Sequence, residues 1–261
     1  IDDPTFWTIA GEQGQRVAVV DIPHTPRART FNGAQVVEYG LHDSHFGSAS
    51  HPDALFAELR ERHGAYPVAS CDHYGGSRAD HQRLRRDLAD GLERKTRLLL
   101  DVLGRERWDL FACAFSESHC VGHWLWHYAD RAHWAHVPDA PPELRDAVWT
   151  IYQQLDAAIG RLVAAADAST TIVLASHGMA PYVAGYQMLP ELLARLGYSS
   201  GGATQHSWLR DVQHAAKHWI PRRHWERLGR LTVENAAVRA LLRPLQRSSG
   251  AMFFPLESPG T

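Results

Sequence analysis

Histidine and carboxylate side chains are concentrated in residues 108–127 of the chain. An apolar run ends there in a Ser-Glu-Ser tripeptide, and a helical pattern follows in which His119, His123 and His127 are four residues apart. Imidazoles at positions i and i+4 lie on one face of a helix, where both can bind one divalent metal ion. The same spacing is common on helix surfaces, so the position after a strand is what favours His119 and His123 as metal ligands.

A second histidine follows another apolar run. Residues 170–174, Thr-Thr-Ile-Val-Leu, have the β-branched composition of a buried strand, and Ser176, His177 and Gly178 come shortly after them. In open α/β sheets, ligands and catalytic groups gather at the carboxyl ends of the strands. His177, with Ser176, is therefore a second candidate metal-binding position.

Glu117 has three alternative roles between which the sequence does not decide. It could be a metal ligand, a general base or a carboxylate that complements the positive end of the following helix.

Cys120 is interpreted as a small buried residue. Residues 71–73, Cys-Asp-His, are interpreted as a polar loop, because adjacent residues rarely face one another. His127 lies two turns from the strand end and is interpreted as a neighbour of the site and not as a ligand.

The elements that must position these side chains follow an α/β order. A strand is predicted over residues 16–22, and helices over 52–63 and 78–103. Residues 141–166 predict a long amphipathic helix between the two strands that precede the histidines. Strands separated by helices in this way predict parallel crossover connections.

One domain over residues 1–261 is the predicted organisation. Residues 24–76 begin with a stretch rich in Gly, Pro, His, Ser and Asn, and we expect a loop-rich cap or insertion there. Its His42 and His45 could face a site. The first residue is not Met and the chain stops soon after an apolar run, so we expect a chain cut at both ends.

Composition argues against several classes of function. A net charge of -2 with mixed signs offers no basic face for nucleic acid and no polybasic membrane anchor. No apolar stretch approaches the roughly 20 residues of a membrane span, and no signal peptide is present, which favours a cytoplasmic protein. Three cysteines are too few for a disulfide framework, whereas 17 histidines favour metal binding.

Together the motifs resemble the alkaline phosphatase superfamily, in its type I phosphodiesterase and nucleotide pyrophosphatase branch. In that family a strand ends in an Asp that is followed four residues later by a His, often with a Trp just after. An Asp-His-Gly then follows at the next strand end. The matching positions here are His119, His123, Trp126, Ser176, His177 and Gly178. The resemblance implies a three-layer αβα sandwich with a mostly parallel central sheet, here one catalytic domain truncated at both ends.

The resemblance also implies a metal chemistry. Members of the family generally bind two divalent metals, commonly zinc, and use a Thr, Ser or Cys nucleophile, which we expect upstream of residue 1. His119 and Ser176 stand where the family has Asp, so the metal site loses two negatively charged ligands. We therefore expect one or two bound ions. By this comparison His119 and His123 hold one metal, His177 and Ser176 help to hold the second, and Glu117 replaces a lost carboxylate.

The predicted function is a metal-dependent hydrolase of phosphate esters, of the phosphodiesterase or nucleotide pyrophosphatase type, with sulfate esters as a further substrate class. Its partner would be a small-molecule ester. Two alternatives stay open. One is a superfamily member that has lost catalysis and acts as a binding or regulatory module, and the other is a phosphotransferase of the phosphomutase type. The sequence makes no prediction of the oligomeric state.

Overall fold

The computed structural model describes residues 4–28, 30–40, 42, 45–71, 74–175, 178–180, 192–193 and 195–196. The chain divides into two compact units, 1–182 and 183–261, and every element named below belongs to the first. Within the described ranges, no helix combines the length and the hydrophobicity that crossing a bilayer requires.

Strands and helices alternate along the first unit. A short helix α1 (Phe6–Glu12) precedes three strands, β1 (Val17–Val20), β2 (Gly33–Val37) and β3 (Ala49–His51). Helices α2 (Leu55–His63) and α3 (Arg78–Gly104) follow, then strand β4 (Leu110–Cys113). The last three elements are α4 (Glu117–Ala129), α5 (Pro142–Arg145) and α6 (Ala147–Ala166).

The four strands form an open mixed sheet in the order β3-β2-β1-β4. Strand β1 pairs in parallel with both β2 and β4, whereas β3 is antiparallel to β2. All four residues of β1 are buried, as expected for a continuous apolar run that is covered on both faces of a sheet. The predicted mostly parallel sheet is confirmed.

Helices cover the sheet on both faces. On one face, Val20 packs with Leu59 of α2 and Leu98 of α3. On the other face, Val19 packs with Trp7 of α1. This alternation of strand side chains between two apolar layers is the α/β arrangement, and it is consistent with the αβα fold of the alkaline phosphatase type.

Helix α3 connects the sheet to helix α4. Ser77 caps its first turn, because the serine hydroxyl accepts the backbone N–H of Asp80 at 3.1 Å. Farther along, Leu88 of α3 packs in a second apolar core with Val121 of α4 and Ile151 of α6. Full burial of such side chains stabilises the fold by about 1.5–3 kcal/mol each. Helix α3 therefore packs against both the sheet and α4.

The predicted strand at residues 170–174 is wrong. The structure gives this segment no strand, and its side chains at Ile172, Val173 and Leu174 are 74%, 66% and 88% exposed. A strand needs a neighbour for its backbone N–H and C=O groups, and none of the described residues pairs with this segment. Its β-branched composition predicted the local preference but not the pairing.

Two other predicted segments have more structure than the sequence indicated. Residues 24–76, expected as a loop-rich cap or insertion, contain strands β2 and β3 and helix α2. The single helix predicted over 141–166 is divided at Asp146 into α5 and α6. Part of the range 24–76 therefore builds the sheet itself.

Candidate metal centre

Three parallel strands end at the same edge of the sheet, and a carboxylate follows each of them. Asp21 follows β1, Glu38 follows β2, and Glu117 begins the helix after β4. Asp21 and Glu38 have φ angles of 56° and 55°, in the left-handed region that is unfavourable for residues other than glycine. Such backbone strain persists only where surrounding contacts enforce it, and it is common at functional sites.

The carboxylate of Asp21 anchors the loop after β2. Its Oδ1 accepts the N–H of Tyr39 at 2.8 Å, and its Oδ2 accepts the N–H of Gly40 at 2.9 Å. Lys95 of α3 places its Nζ 2.8 Å from the same Oδ2 and donates to the Gly40 carbonyl at 3.2 Å. These bonds tie the chain that leads to His42 to both β1 and α3.

Lys95 is a charged group in the protein interior. Burial by itself would lower the pKa of Lys95, but the carboxylates of Asp21 and Glu117 outweigh this effect and raise it. The lysine is therefore protonated over the physiological range. The ring of Phe115 lies 5.7 Å from its Nζ and adds a cation–π contact.

Glu117, the predicted candidate catalytic residue, is completely buried. The hydroxyl of Tyr66 donates to its Oε1 at 2.8 Å, and its Oε2 makes no hydrogen bond to any residue that the structure describes. Burial raises the pKa of Glu117, while the Lys95 charge and the Tyr66 hydrogen bond act in the opposite direction. Its described hydrogen-bond donor, Tyr66, packs against the apolar cores.

The carboxylate of Glu38 orders the loop before β3. Its Oε1 accepts the N–H groups of His45 at 2.6 Å and Phe46 at 2.7 Å, and its Oε2 accepts that of Gly47 at 2.7 Å. Three backbone donors satisfy this buried carboxylate. The loop that contains His45 is thereby fixed at the same edge of the sheet.

The imidazoles of His119 and His123 lie side by side on helix α4. Their ring centroids are 4.3 Å apart, as the i, i+4 spacing predicts. His42 joins them, with its ring 4.4 Å from that of His119 and 5.9 Å from that of His123. The rings of His42 and His123 are nearly parallel, with 9° between their planes. The structure therefore brings three imidazoles together.

Two buried thiols adjoin these imidazoles. His42 Nδ1 lies 3.0 Å from the Sγ of Cys71 and 3.7 Å from the Sγ of Cys120. One ligand atom from each of these three residues lies within 4.8 Å of the other two, and no other such group occurs in the part of the chain that the structure describes. We name these three residues with His119 and His123 the His/Cys cluster.

The donor atoms of the His/Cys cluster suit a divalent transition metal. Imidazole nitrogen and thiolate sulfur are common ligands of zinc. Exposure increases from the buried Cys71 and Cys120 through the half-buried His42 and His119 to the exposed His123. His123 is therefore the ligand of the cluster that borders solvent.

His127 belongs to a different group of side chains. Its ring centroid lies 5.6 Å from that of His81, 4.0 Å from that of Tyr128 and 6.1 Å from that of His133. His81 is buried, with its Nδ1 2.8 Å from the Tyr128 hydroxyl. Burial lowers the pKa of both His81 and His127. These contacts place His127 in an aromatic cluster with the neighbouring helix.

Ser176 and His177, the predicted ligands of a second metal, lie outside the described residues. Met179, which the structure does describe, follows His177 by two residues and lies next to helix α4. A Cβ atom at Gly122 of that helix would lie 2.9 Å from the Met179 side chain. The metal role of Ser176 and His177 stays a prediction.

Sequence reasoning missed several residues of this region, and for one of them a signal was present. Lys95 falls on the buried face of α3, in line with Leu84, Leu88 and Leu92. A lysine within an apolar stripe predicts a buried charge and hence a carboxylate partner.

Cys71 and Cys120 were interpreted as part of a polar loop and as a core residue. No comparable signal in the sequence links either cysteine to His42.

The fold and the site define an α/β protein with a candidate metal centre at the carboxyl ends of parallel strands. The type I phosphodiesterase / nucleotide pyrophosphatase family model matches residues 1–236, so the chain belongs to this family, which is part of the alkaline phosphatase superfamily. No curated protein and no solved structure gives a significant match. Membership supports hydrolysis of small-molecule phosphate esters, and the family is generally metal-dependent.

Proposed function

We propose that this protein is a metal-dependent phosphodiester hydrolase and that His119 and His123 hold its metal, with zinc as the expected ion. The observation that carries the proposal is the 4.3 Å separation of these two rings near the carboxyl ends of the parallel strands. Family membership supplies the reaction class. His177 and Ser176 complete the proposal as ligands of a second ion.

The chemistry of a bound divalent ion suits this reaction. It would act as a Lewis acid toward a phosphoryl oxygen and screen the charge that develops during hydrolysis. The exposed His123 and the half-buried His119 leave one side of such a site open to solvent. A phosphate ester could approach from that side without displacing the core.

Other residues of the site act by positioning. The Gly40 carbonyl accepts hydrogen bonds from Lys95 and, at 2.8 Å, from the hydroxyl of Ser116, which directly precedes α4. The loop before His42 and the start of the helix that carries His119 are thereby joined at one atom. We assign the buried Glu117 the same kind of role, because its Oε1 accepts from Tyr66 and its side chain is not exposed to substrate.

Metal binding and hydrolysis by two histidine variants test the proposal. The product of the complete reading frame is assayed with bis(p-nitrophenyl) phosphate and zinc, and bound metal is measured by elemental analysis. His123→Ala should lose one bound ion and lower kcat/KM on the order of 100-fold or more. The control His127→Ala lies one turn further along the same helix and should retain both the ion and the activity.

The same assay separates the alternatives. Bound metal with hydrolysis only at the buffer rate, across several divalent metals, would reject the hydrolase and favour a binding module. Faster cleavage of p-nitrophenyl sulfate than of the phosphate diester would move the substrate class to sulfate esters. Transfer of the phosphoryl group to an added alcohol, in place of water, would indicate a phosphotransferase.

A further inference from the structure

We propose that His42, Cys71 and Cys120 form a metal site of their own, with two thiolate ligands and one imidazole ligand. The site goes beyond the proposed function, because none of these three residues is assigned there as a metal ligand. Each ligand comes from a different part of the chain: the loop after β2, the loop between α2 and α3, and helix α4.

One of the two observed nitrogen–sulfur distances matches a tetrahedral metal site, and the other is shorter. Zinc–sulfur bonds of about 2.3 Å and zinc–nitrogen bonds of about 2.0–2.1 Å place a nitrogen about 3.6 Å from a sulfur in tetrahedral geometry. His42 Nδ1 lies 3.0 Å and 3.7 Å from the two sulfurs. The three ligand atoms lie within 4.8 Å of one another, which is close enough for all three to bind one ion.

The backbone around the ligands is held in place by buried contacts. Cys71 and Cys120 belong to the apolar core that includes Leu84 and Leu88 of α3. On the other side, the hydrogen bonds from Tyr39 and Gly40 to Asp21 fix the chain two residues before His42. A site whose ligands are held by the fold loses little conformational entropy when it binds an ion.

Because the thiols of Cys71 and Cys120 are buried, a role as metal ligands is favoured over a role as nucleophiles. A sulfur 3.0 Å from an imidazole nitrogen is also the arrangement of a cysteine activated by histidine. Cys71 is 0% exposed and Cys120 is 3% exposed, so neither sulfur is presented to a substrate in solvent. A buried thiolate needs a positive partner, and a coordinated divalent ion supplies one while keeping the thiol deprotonated.

Cobalt(II) reports directly on sulfur ligands. The product of the complete reading frame is stripped with a chelator and titrated with Co²⁺ alone while its absorption is recorded. We expect a sulfur-to-cobalt charge-transfer band that is weaker in Cys71→Ala and Cys120→Ala and absent from the double variant. Zinc affinity at this site should fall at least about 10-fold in each single variant.

Cys113→Ala is the matched control. This third cysteine packs against the apolar core of the sheet, and burial raises the pKa of its thiol to about 11. Its removal should leave the charge-transfer band unchanged. His123→Ala should also keep the band while it loses the ion assigned to hydrolysis, so failure of one proposal is distinguishable from failure of the other.

X-ray absorption of the zinc-loaded wild type decides the question without any substitution, even if the cysteine variants do not fold. Two sulfur ligands at about 2.3 Å from an ion are expected. A spectrum with nitrogen and oxygen neighbours only, or a wild-type cobalt complex without the charge-transfer band, would overturn the thiolate site. The proposal that His119 and His123 bind metal would survive that result.

Discussion

Lys95 and Asp21 form an ion pair of 2.8 Å inside the protein, and both side chains are completely buried. The pair joins helix α3 to the carboxyl end of β1. Asp21 also accepts two backbone N–H groups from residues 39 and 40, so the loop before His42 depends on the same carboxylate. A buried pair of this kind is costly to break, because the remaining charge loses its partner.

Lys95→Met should lower the free energy of unfolding by about 3–5 kcal/mol, because it leaves the Asp21 carboxylate buried without its cation. Urea denaturation of both proteins measures the difference. Arg97→Ala on the same helix is the control, since the pair between Arg97 and Glu93 spans 3.7 Å and both side chains are 51% exposed. Its expected effect is about 0.5 kcal/mol or less. Equal losses in the two variants would contradict the assigned role of Lys95.

Glu117 should make the stability of the protein depend on pH. Burial raises its pKa above the ordinary value of 4.5, so the folded state holds a proton that the unfolded state has already released. The stability that this group contributes is present below pH 4.5 and is lost as the pH rises through the raised pKa. The stability of wild type relative to Glu117→Gln should therefore decrease with rising pH.

Urea denaturation over a pH series measures this difference. The control is Glu143→Gln on α5, an exposed carboxylate whose pKa is lowered by its own backbone N–H and by Gln82. That group contributes stability that is lost as the pH falls, so its difference curve should have the opposite sign. A difference between wild type and Glu117→Gln that does not change with pH would reject the buried, raised pKa.

Gly91→Ala should displace the tyrosine that holds Glu117. A Cβ atom at Gly91 would lie 2.7 Å from the ring of Tyr66, whose hydroxyl donates to the Glu117 carboxylate. The overpacking should cost about 1–3 kcal/mol of unfolding free energy, although alanine is the better helix former. Gly104→Ala, at the end of the same helix, meets no atom within 4 Å and should be neutral or slightly stabilising. Thermal denaturation compares the two.

His81 of α3 and His127 of α4 should destabilise the protein in acid. Burial lowers the pKa of His81 and His127 from the ordinary value of 6.5, so the folded state binds their protons less readily than the unfolded state. Their contribution to stability is present above pH 6.5 and is lost as the pH falls toward the lowered values. His127→Gln should flatten this part of the stability curve, as measured by urea denaturation. An unchanged curve would show that His127 does not contribute.

The sequence predicted those parts of the fold and site that depend on local spacing. Helix α3 was predicted within one residue of its observed end, because its apolar side chains repeat with the helical period. The adjacency of His119 and His123 follows from the i, i+4 spacing on one helix. The order of strands and helices predicted that this histidine pair lies near the carboxyl end of a strand.

Contacts between distant segments could not be predicted in this way. His42 is separated from Cys71 by 29 residues and from Cys120 by 78, and no periodicity relates positions so far apart. The segment 170–174 shows the same limit, since its composition favours a strand but the structure does not pair it. Strand formation depends on a neighbour whose position is decided elsewhere in the chain.

The sequence by itself determined the α/β class, the histidine pair on α4 and the resemblance that the family match confirms. These depend on interactions within a few residues and on the order of elements along the chain. The tertiary structure decided that Lys95 neutralises Asp21, that Glu117 is buried against Tyr66, and that two thiols adjoin His42. Such contacts arise only when packing of the apolar cores brings distant segments to fixed separations.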